Sequence, residues 1–188
     1  MKKALWFDVE TTGLNHFKND IIQLAAIAEI EGNIVEEFNS KVAPFDPANV
    51  DPKALEINKL KMEDIMKYPK PKDVHKAFTT FLSRHVDKYA KDDKFAPAGY
   101  NVSFDIDFLS SFFKKNGDNY YGSYFNYKSI DPLRLLHIMD YERKINLPNY
   151  KLITVCNHYN IIIDAHEALS DIKATRELFR LLDRKSVV

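Results

Sequence analysis

Two acidic side chains near the start of the chain have the spacing that metal-assisted chemistry requires. Asp8 and Glu10 follow an apolar run that begins at Leu5, and a turn containing Gly13 comes directly after them. Side chains two residues apart on a strand point to the same side, roughly 6–7 Å from each other. Neighbouring carboxylates repel each other and lose hydration when buried, and a hard divalent cation relieves both costs. For this stretch alone, a strand end with two solvated acids is an equal alternative.

A third acidic position is Asp105, which lies in the first turns of a helix predicted after Gly99. Taken alone, an acid there is explained by the favourable helix dipole, and Asp107 has the same explanation. These two side chains point about 200° apart on a helix, so only one of them can face a site. Local pattern leaves the choice between them open.

The third candidate segment contains His166 and Asp171, which precede and begin the last predicted helix. Residues five apart on one helix differ by about 140° and cannot share a face. We therefore expect His166 on the loop that enters the helix and Asp171 in its first turns. A histidine on a loop beside a fixed acid suits proton transfer better than metal binding. Taken alone, a surface histidine without function is the commoner explanation.

The elements that must position these side chains form an α/β pattern. Strands are predicted at residues 4–9, 21–28, 34–42, 95–99 and 124–130. Helices are predicted over residues 52–57, 73–89, 101–116, from 131 onward, over 151–158 and over 167–183. The inner face of the last helix is predicted to carry Ala168, Ile172, Thr175, Phe179 and Leu182. Three hairpin-linked strands followed by strands alternating with helices predict a mixed five-stranded sheet flanked by helices, with sites where strand ends meet helix starts.

The amino-acid composition of the chain limits which classes of function are possible. The 188 residues suit a single domain covering 1–188, with 27 basic and 27 acidic residues and no net charge. Proteins that grip long duplex DNA are usually more basic, so a nucleic-acid contact here would be short or assisted by metal ions. The single cysteine, Cys156, excludes a disulfide framework and predicts a core thiol in a reducing compartment. The chain shows no signal-peptide or membrane-spanning pattern, and we expect a cytoplasmic protein with no membrane partner.

Together, the three segments strongly resemble one protein family. Asp8 to Leu14, Asn101 to Leu109, and His166 followed by Asp171 occur in the order found in DnaQ-like 3′–5′ exonucleases of the DEDDh class. That class includes the proofreading epsilon subunit of bacterial DNA polymerase III. The resemblance extends from Ala4 to about Leu182. A sister class carries tyrosine four residues before the last aspartate, where this chain has Glu167, so the histidine class is the one matched.

The resemblance implies an RNase H-like fold and a two-metal site. Its four carboxylate ligands of two Mg2+ or Mn2+ ions would be Asp8, Glu10, Asp105 and Asp171, and His166 would be the general base. Asp105 is favoured over Asp107 because it matches the family's Phe-Asp pair. The product would be a nucleoside 5′-monophosphate. The terminal nucleotide would be contacted by Thr11, Thr12, Gly13, Leu14, Asn58, Asn101 and Phe104, with Leu14 wedged against its base.

Two departures from the family pattern concern the substrate rather than the metals. Asn58-Lys59 stands where many relatives have His-Gly, and Tyr100 replaces a histidine common before the asparagine. We expect an exonuclease that trims single-stranded 3′ ends, of DNA rather than RNA, with a DNA polymerase subunit as a candidate partner. One alternative is an RNA 3′-end trimmer or oligoribonuclease. The other is a non-catalytic module that binds nucleic acid or a polymerase, which the complete set of four acids and a histidine disfavours.

Overall fold

A mixed four-stranded sheet forms the centre of the computed structural model, which describes residues 1–164 and 167–185. Its strands are β1 (Lys3–Thr11), β2 (Ile21–Ile30), β3 (Asn33–Lys41) and β4 (Ala96–Ala98). They lie in the order β3-β2-β1-β4. The first three strands pair antiparallel, and β4 pairs parallel with β1. The mixed α/β architecture predicted from the sequence is confirmed.

Seven α-helices of the described chain flank this sheet. They are α1 (Pro52–Ile57), α2 (Met62–Ile65), α3 (Pro71–Ser83), α4 (Ser103–Lys115), α5 (Pro132–Tyr141), α6 (Leu152–Tyr159) and α7 (Ala168–Lys185). Aspartate caps and a proline in the first turn explain two starts, since Asp51 accepts from Lys53 N–H and Asp131 from Leu133 N–H. The short α2 was not predicted, and α3 ends six residues before the predicted boundary. None of the described helices is both long and apolar enough to cross a membrane.

The prediction of a fifth strand over 124–130 is wrong. Only Phe125 and Ile130 form bridges to the sheet, one with Phe95 and one with Ala98. Between them the Asn126 side chain accepts a hydrogen bond from the Lys128 N–H at 2.8 Å, which closes a local turn. Short polar side chains that bond nearby backbone compete with strand pairing, so this segment leaves the sheet between its two bridges.

The two faces of β1 pack against different helices. Leu5, Phe7 and Val9 share one apolar cluster with buried side chains of α3 and α4. Ala4 and Trp6, on the opposite face, pack with Ala168 and Ile172 of α7 and with neighbouring side chains of β2 and β4. Side chains alternate along a strand, so Asp8 and Glu10 lie on the same face as Ala4 and Trp6. This is the face that α7 covers.

The inner face predicted for the last helix is confirmed, with one side chain less enclosed than the rest. Ala168, Ile172, Thr175 and Leu182 are buried, and Phe179 is partly buried against Trp6 with ring centroids 5.5 Å apart. This contact holds α7 across β1, which places the first turn of the helix near the end of that strand.

The single cysteine is a core thiol, as predicted. Cys156 is a free, fully buried residue in a cluster with Leu136, Val155 and Leu178. Burial, with smaller contributions from Asp171 and Glu177, raises the pKa of the Cys156 thiol to about 11. A thiol with so high a pKa is a poor nucleophile at neutral pH, so Cys156 contributes to packing.

Candidate active site

The carboxylate of Asp105, which belongs to α4, lies next to the end of β1. Strand β4 pairs with β1 only as far as Trp6, and the Val9 N–H further along donates to Asp105 Oδ1 at 3.1 Å. The chain turns toward α4 at Gly99, where a Cβ atom would lie 2.9 Å from the Phe7 carbonyl oxygen. A residue without a side chain therefore permits the close crossing that brings Asp105 to the strand.

Three acids from two elements interact around Asp8. Its pKa is raised to about 8, first because burial disfavours the charged form and then because Glu10 and Asp171 repel it. Asp171 occupies the first turn of α7, and its backbone N–H donates to the Glu167 carbonyl at 3.0 Å. The two predicted groups, one on β1 and one at the start of α7, thus meet on the same face of the sheet.

Asp105 is the fourth member of this set, and its neighbour Asp107 is not. Asp105 is only 4% exposed, and its pKa is raised well above the usual value, first by burial and then by repulsion from Asp8. The hydrogen bond from Val9 N–H acts in the opposite direction and is outweighed. Asp107 is exposed, as expected for two helix positions that point about 200° apart. The structure therefore brings together Asp8, Glu10, Asp105 and Asp171.

The chemistry of this donor set fits a hard divalent cation. Burial disfavours the ionised form of Asp8 and Asp105, and the nearby charges that raise their pKa further are other carboxylates. A bound cation would remove that penalty, and carboxylate oxygens are the ligands that Mg2+ and Mn2+ prefer. Over the residues that the structure describes, no three acidic, histidine or cysteine side chains already converge as a metal cage. The charge interactions link Asp8 with Glu10 and Asp171, and Asp105 with Asp8 and Glu10.

His166, the predicted base, lies outside the described residues, as does Ala165. The residues on either side of this gap are tied together. Asp164 N–H donates to Ser170 Oγ at 2.9 Å, and Ser170 N–H donates to a Glu167 carboxylate oxygen at 2.7 Å. Asp164 is therefore held beside the first turn of α7, the turn that carries Asp171.

The loop after β1 is held in a defined shape by its own polar groups. The Thr11 hydroxyl donates to the Gly13 carbonyl at 2.7 Å, and the fully buried Thr12 hydroxyl accepts from Asp20 N–H at 2.8 Å. Gly13 has a φ of +157°, and a Cβ there would lie 2.5 Å from the Asn19 side chain. Glycine is required at this point because Asn19 packs directly against it.

The remaining predicted substrate residues surround this loop at different depths. Leu14 is 85% exposed, whereas Phe104 is partly buried. Asn58 ends α1, and its amide donates to the Thr11 carbonyl at 3.4 Å. Asn58 also borders a cleft of about 180 Å³ that Glu10 lines together with Gln23, Lys41 and Tyr68. This places Asn58 next to one of the four acids.

The Asn101 side chain does not cap α4, although asparagine before a helix is a common cap. Asn101 is exposed with a φ of +56°, a conformation that asparagine tolerates better than most residues. Its backbone supplies the contacts instead, because its N–H donates to Asp131 Oδ1 at 3.1 Å and its carbonyl accepts from Phe104 N–H at 3.2 Å. Asn101 therefore fixes the turn before Asp105.

Sequence analysis missed a set of residues that anchor this loop. Asp20 is 3% exposed and accepts N–H bonds from Phe45 and Asp46, and Lys115 forms an ion pair with it at 2.7 Å. The Asn19 carbonyl also accepts from the Lys115 ammonium at 2.8 Å. No local signal could identify these partners, since Lys115 lies 95 residues from Asp20.

Comparison of sequences finds relatives along nearly the whole chain. The chain is 30% identical over 187 residues to the DNA polymerase III PolC-type of Lacticaseibacillus paracasei, covering 96% of this chain and 11% of that protein. It is 29% identical over 170 residues to the PolC-type polymerase of Bacillus cereus, covering 90% of this chain and 10% of that protein. The chain thus spans about a tenth of the length of these relatives.

Solved structures share the fold. A complex of E. coli exonuclease I with a dT13 oligonucleotide matches with a TM-score of 0.80 at 21% identity, over 97% of this chain and 41% of that one. The zinc-bound exonuclease I complex with single-stranded DNA matches with a TM-score of 0.82 at 21% identity, over 98% and 41%. This likeness confirms the RNase H-like exonuclease fold with four strands.

The family of the chain is assigned by a match to a sequence model of a whole family, rather than by comparison with single relatives. The RNase T model, described as an exonuclease, matches residues 5–179, which include all four clustered acids. The match agrees with the DnaQ-like resemblance of the three segments. The chain belongs to this family of exonucleases.

Proposed function

We propose that the chain is a divalent-metal-dependent 3′–5′ exonuclease that releases nucleoside 5′-monophosphates from single-stranded DNA. The observation that carries the proposal is the meeting of four carboxylates from β1, α4 and α7, two of them with raised pKa. Membership of an exonuclease family supports the reaction class. The substrate is inferred from structural neighbours crystallised with single-stranded DNA and from relatives named as DNA polymerase III.

In this proposal Asp8, Glu10, Asp105 and Asp171 would hold two Mg2+ or Mn2+ ions. Bound ions would supply charge neutralisation for the phosphate and a lowered pKa for the attacking water. The four side chains fix where the phosphate can approach, because β1, α4 and α7 are packed together by the apolar clusters on both faces of the sheet.

His166 would take the proton from the attacking water. A neutral imidazole is a ready proton acceptor near neutral pH, so a histidine suits this role. Support for this role comes from the family pattern and from the position of His166 just before the turn that carries Asp171. The terminal nucleotide would lie against the exposed Leu14, with the rim formed by Thr11, Gly13, Asn58, Asn101 and Phe104. The buried Thr12 would support the loop.

One experiment tests the proposal. DNA and RNA oligonucleotides, single- and double-stranded and labelled at either end, are incubated with the protein in Mg2+, Mn2+ or EDTA. We expect stepwise shortening of single-stranded DNA, early release of a 3′-terminal label as a 5′-monophosphate, and no reaction in EDTA. Asp8→Ala and Glu10→Ala should each nearly abolish turnover, and the double variant should be little worse, because the acids act as one unit.

The same assay distinguishes the proposed exonuclease from the two alternative functions. Faster shortening of RNA than of DNA would identify an RNA trimmer. Binding of oligonucleotides without any shortening would identify a non-catalytic module. Undiminished turnover in Asp8→Ala or in EDTA would reject the metal-dependent mechanism, whichever nucleic acid is cut.

A further inference from the structure

An exposed aromatic side chain stands on the loop next to the proposed site. Phe17 is 80% exposed, three residues after Leu14. Single exposed apolar residues are common on protein surfaces and need no function. Phe17 differs because its backbone is held firmly and because its ring continues a row of packed aromatic rings.

The backbone around Phe17 is fixed by local and long-range hydrogen bonds. Its N–H donates to Asn15 Oδ1 at 3.0 Å, and the Asn15 N–H donates to Asn19 Oδ1 at 2.9 Å. The neighbouring His16 carbonyl accepts from the Ser111 hydroxyl of α4 at 2.6 Å. The exposed ring is therefore presented by a loop that is anchored on the helix carrying Asp105.

Four aromatic rings form a continuous row from α4 to the surface, which we call the aromatic row. Its ring centroids are 4.7 Å apart for Phe104 and Phe108, 6.2 Å for Phe108 and His16, and 4.0 Å for His16 and Phe17. The first member, Phe104, directly precedes Asp105 in the chain. The row thus begins beside the carboxylate set and ends at an open ring face.

We propose that Phe17, backed by His16, is a stacking platform for a base of the single-stranded substrate upstream of the terminal nucleotide. Aromatic side chains bind single strands by stacking, because every base has a π-face. The Cα atoms of Leu14 and Phe17 can be at most about 10–11 Å apart, since an extended chain rises 3.3–3.6 Å per residue. That reach spans one to three nucleotides. Lys18, which follows Phe17, is exposed and forms no ion pair within the described chain, so it is available to a phosphate.

This inference rests on the proposed exonuclease function, and the experiment separates the two. Rates are measured on oligothymidylates of two, three, four and eight nucleotides. In Phe17→Ala we expect KM to rise about 5- to 150-fold on the four- and eight-nucleotide substrates with kcat nearly unchanged, since one base stack is worth 1–3 kcal/mol. Substrates too short to contain the stacked base should be cut with unchanged kcat/KM, so the shortest substrate whose KM rises shows which upstream base stacks. Phe17→Trp should restore the wild-type KM.

A matched control is Tyr89→Ala, which removes a ring that is 86% exposed and is contacted by the Lys88 ammonium, 5.2 Å from the ring centre, rather than by a row of rings. Tyr89 lies in the loop that Asp93 ties to Lys3, at the opposite end of β1 from Glu10. Its removal should leave KM unchanged on every length. An equal rise of KM in both variants would indicate a general effect of lost surface rings and would overturn the platform.

Substrates with one abasic site locate the base that stacks. At one upstream position, removal of the base should raise KM for the wild type. On that same substrate, Phe17→Ala should have the same KM as the wild type. Anisotropy of a labelled eight-nucleotide strand in EDTA gives the same comparison without turnover, so it stands even if the proposed activity fails. Wild-type binding and KM in Phe17→Ala would overturn the platform alone and leave the exonuclease proposal intact.

Discussion

Replacing Asp8 by asparagine should make the metal-free protein more stable while it removes the proposed activity. Burial and repulsion from Glu10 and Asp171 raise the pKa of Asp8 from its ordinary 3.8 to about 8. The unfolded chain therefore releases this proton near pH 4, whereas the fold retains it until about pH 8. An acid whose pKa is higher in the folded state opposes folding as it ionises, so its penalty grows from pH 4 to pH 8 and is constant above that.

The size of the effect follows from the same numbers. At 1.36 kcal/mol for each unit of pKa difference, the penalty from Asp8 would reach at most roughly 5–6 kcal/mol above pH 8. Asp8 keeps part of its surface exposed, and the repulsion is shared with three other acids, so solvent and relaxation lower this ceiling. We expect Asp8→Asn to raise the free energy of unfolding by about 1–3 kcal/mol at pH 8, which corresponds to roughly 3–10 °C for a chain of this size.

The assay is thermal and urea unfolding in EDTA at pH 5, 6.5 and 8. The gap between Asp8→Asn and wild type should be small at pH 5 and largest at pH 8. Added Mg2+ should raise the Tm of the wild type and raise that of Asp8→Asn less, because ligand binding stabilises only the state that binds it. Asp107→Asn, an exposed aspartate on α4, is the control and should follow the wild type. A variant that is less stable than wild type at pH 8, or a gap that shrinks with rising pH, would refute the reasoning.

Two further predictions concern single side chains. Asp105→Asn should lower kcat/KM by more than about 100-fold, since even the loss of outer-shell groups at metal sites costs 10–100-fold. The control Asp107→Asn should change kcat/KM by no more than about twofold. The reverse order would show that the exposed aspartate is the functional one. His166→Ala should lower kcat by roughly 10²–10⁴-fold while Mn2+ affinity, measured by calorimetry, changes little, and the wild-type rate should rise with pH through the histidine titration. A collapse of Mn2+ affinity in His166→Ala would make that histidine a ligand instead of a base.

Local periodicity was sufficient to predict that the two acids of β1 share one face of the sheet. Alternation along β1 puts Asp8 and Glu10 with Trp6, and helical spacing puts Asp171 one turn before the buried Thr175. Both patterns depend on residues within one element, so sequence alone is enough to read them. The start of α5 was predictable for the same reason, because its Asp131 cap and first-turn proline are adjacent in the chain.

Features that depend on distant partners could not be predicted this way. Segment 124–130 has the composition of a strand, yet the Asn126 turn keeps it out of the sheet. Phe17 would be assigned to the core from hydrophobicity alone, and only the folded loop shows that its ring is exposed. The hydrogen bond from Val9 N–H to Asp105 joins residues 96 apart, so the pairing of β1 with α4 required the three-dimensional structure.

Apolar packing on both faces of β1 holds in place the elements that carry the four acids. On one face of β1, Phe108, Leu109 and Phe112 of α4 are buried against the sheet, and on the other Ala168 and Ile172 of α7 are buried. Burying one large apolar side chain contributes about 1.5–3 kcal/mol, so the contacts of α4 can offset an energetic cost of a few kcal/mol at Asp8. That cost arises first from burial and then from repulsion, and it appears as the raised pKa of Asp8 and Asp105. Binding of divalent ions would remove this cost, so part of the apolar packing energy would become affinity for metal at the end of β1.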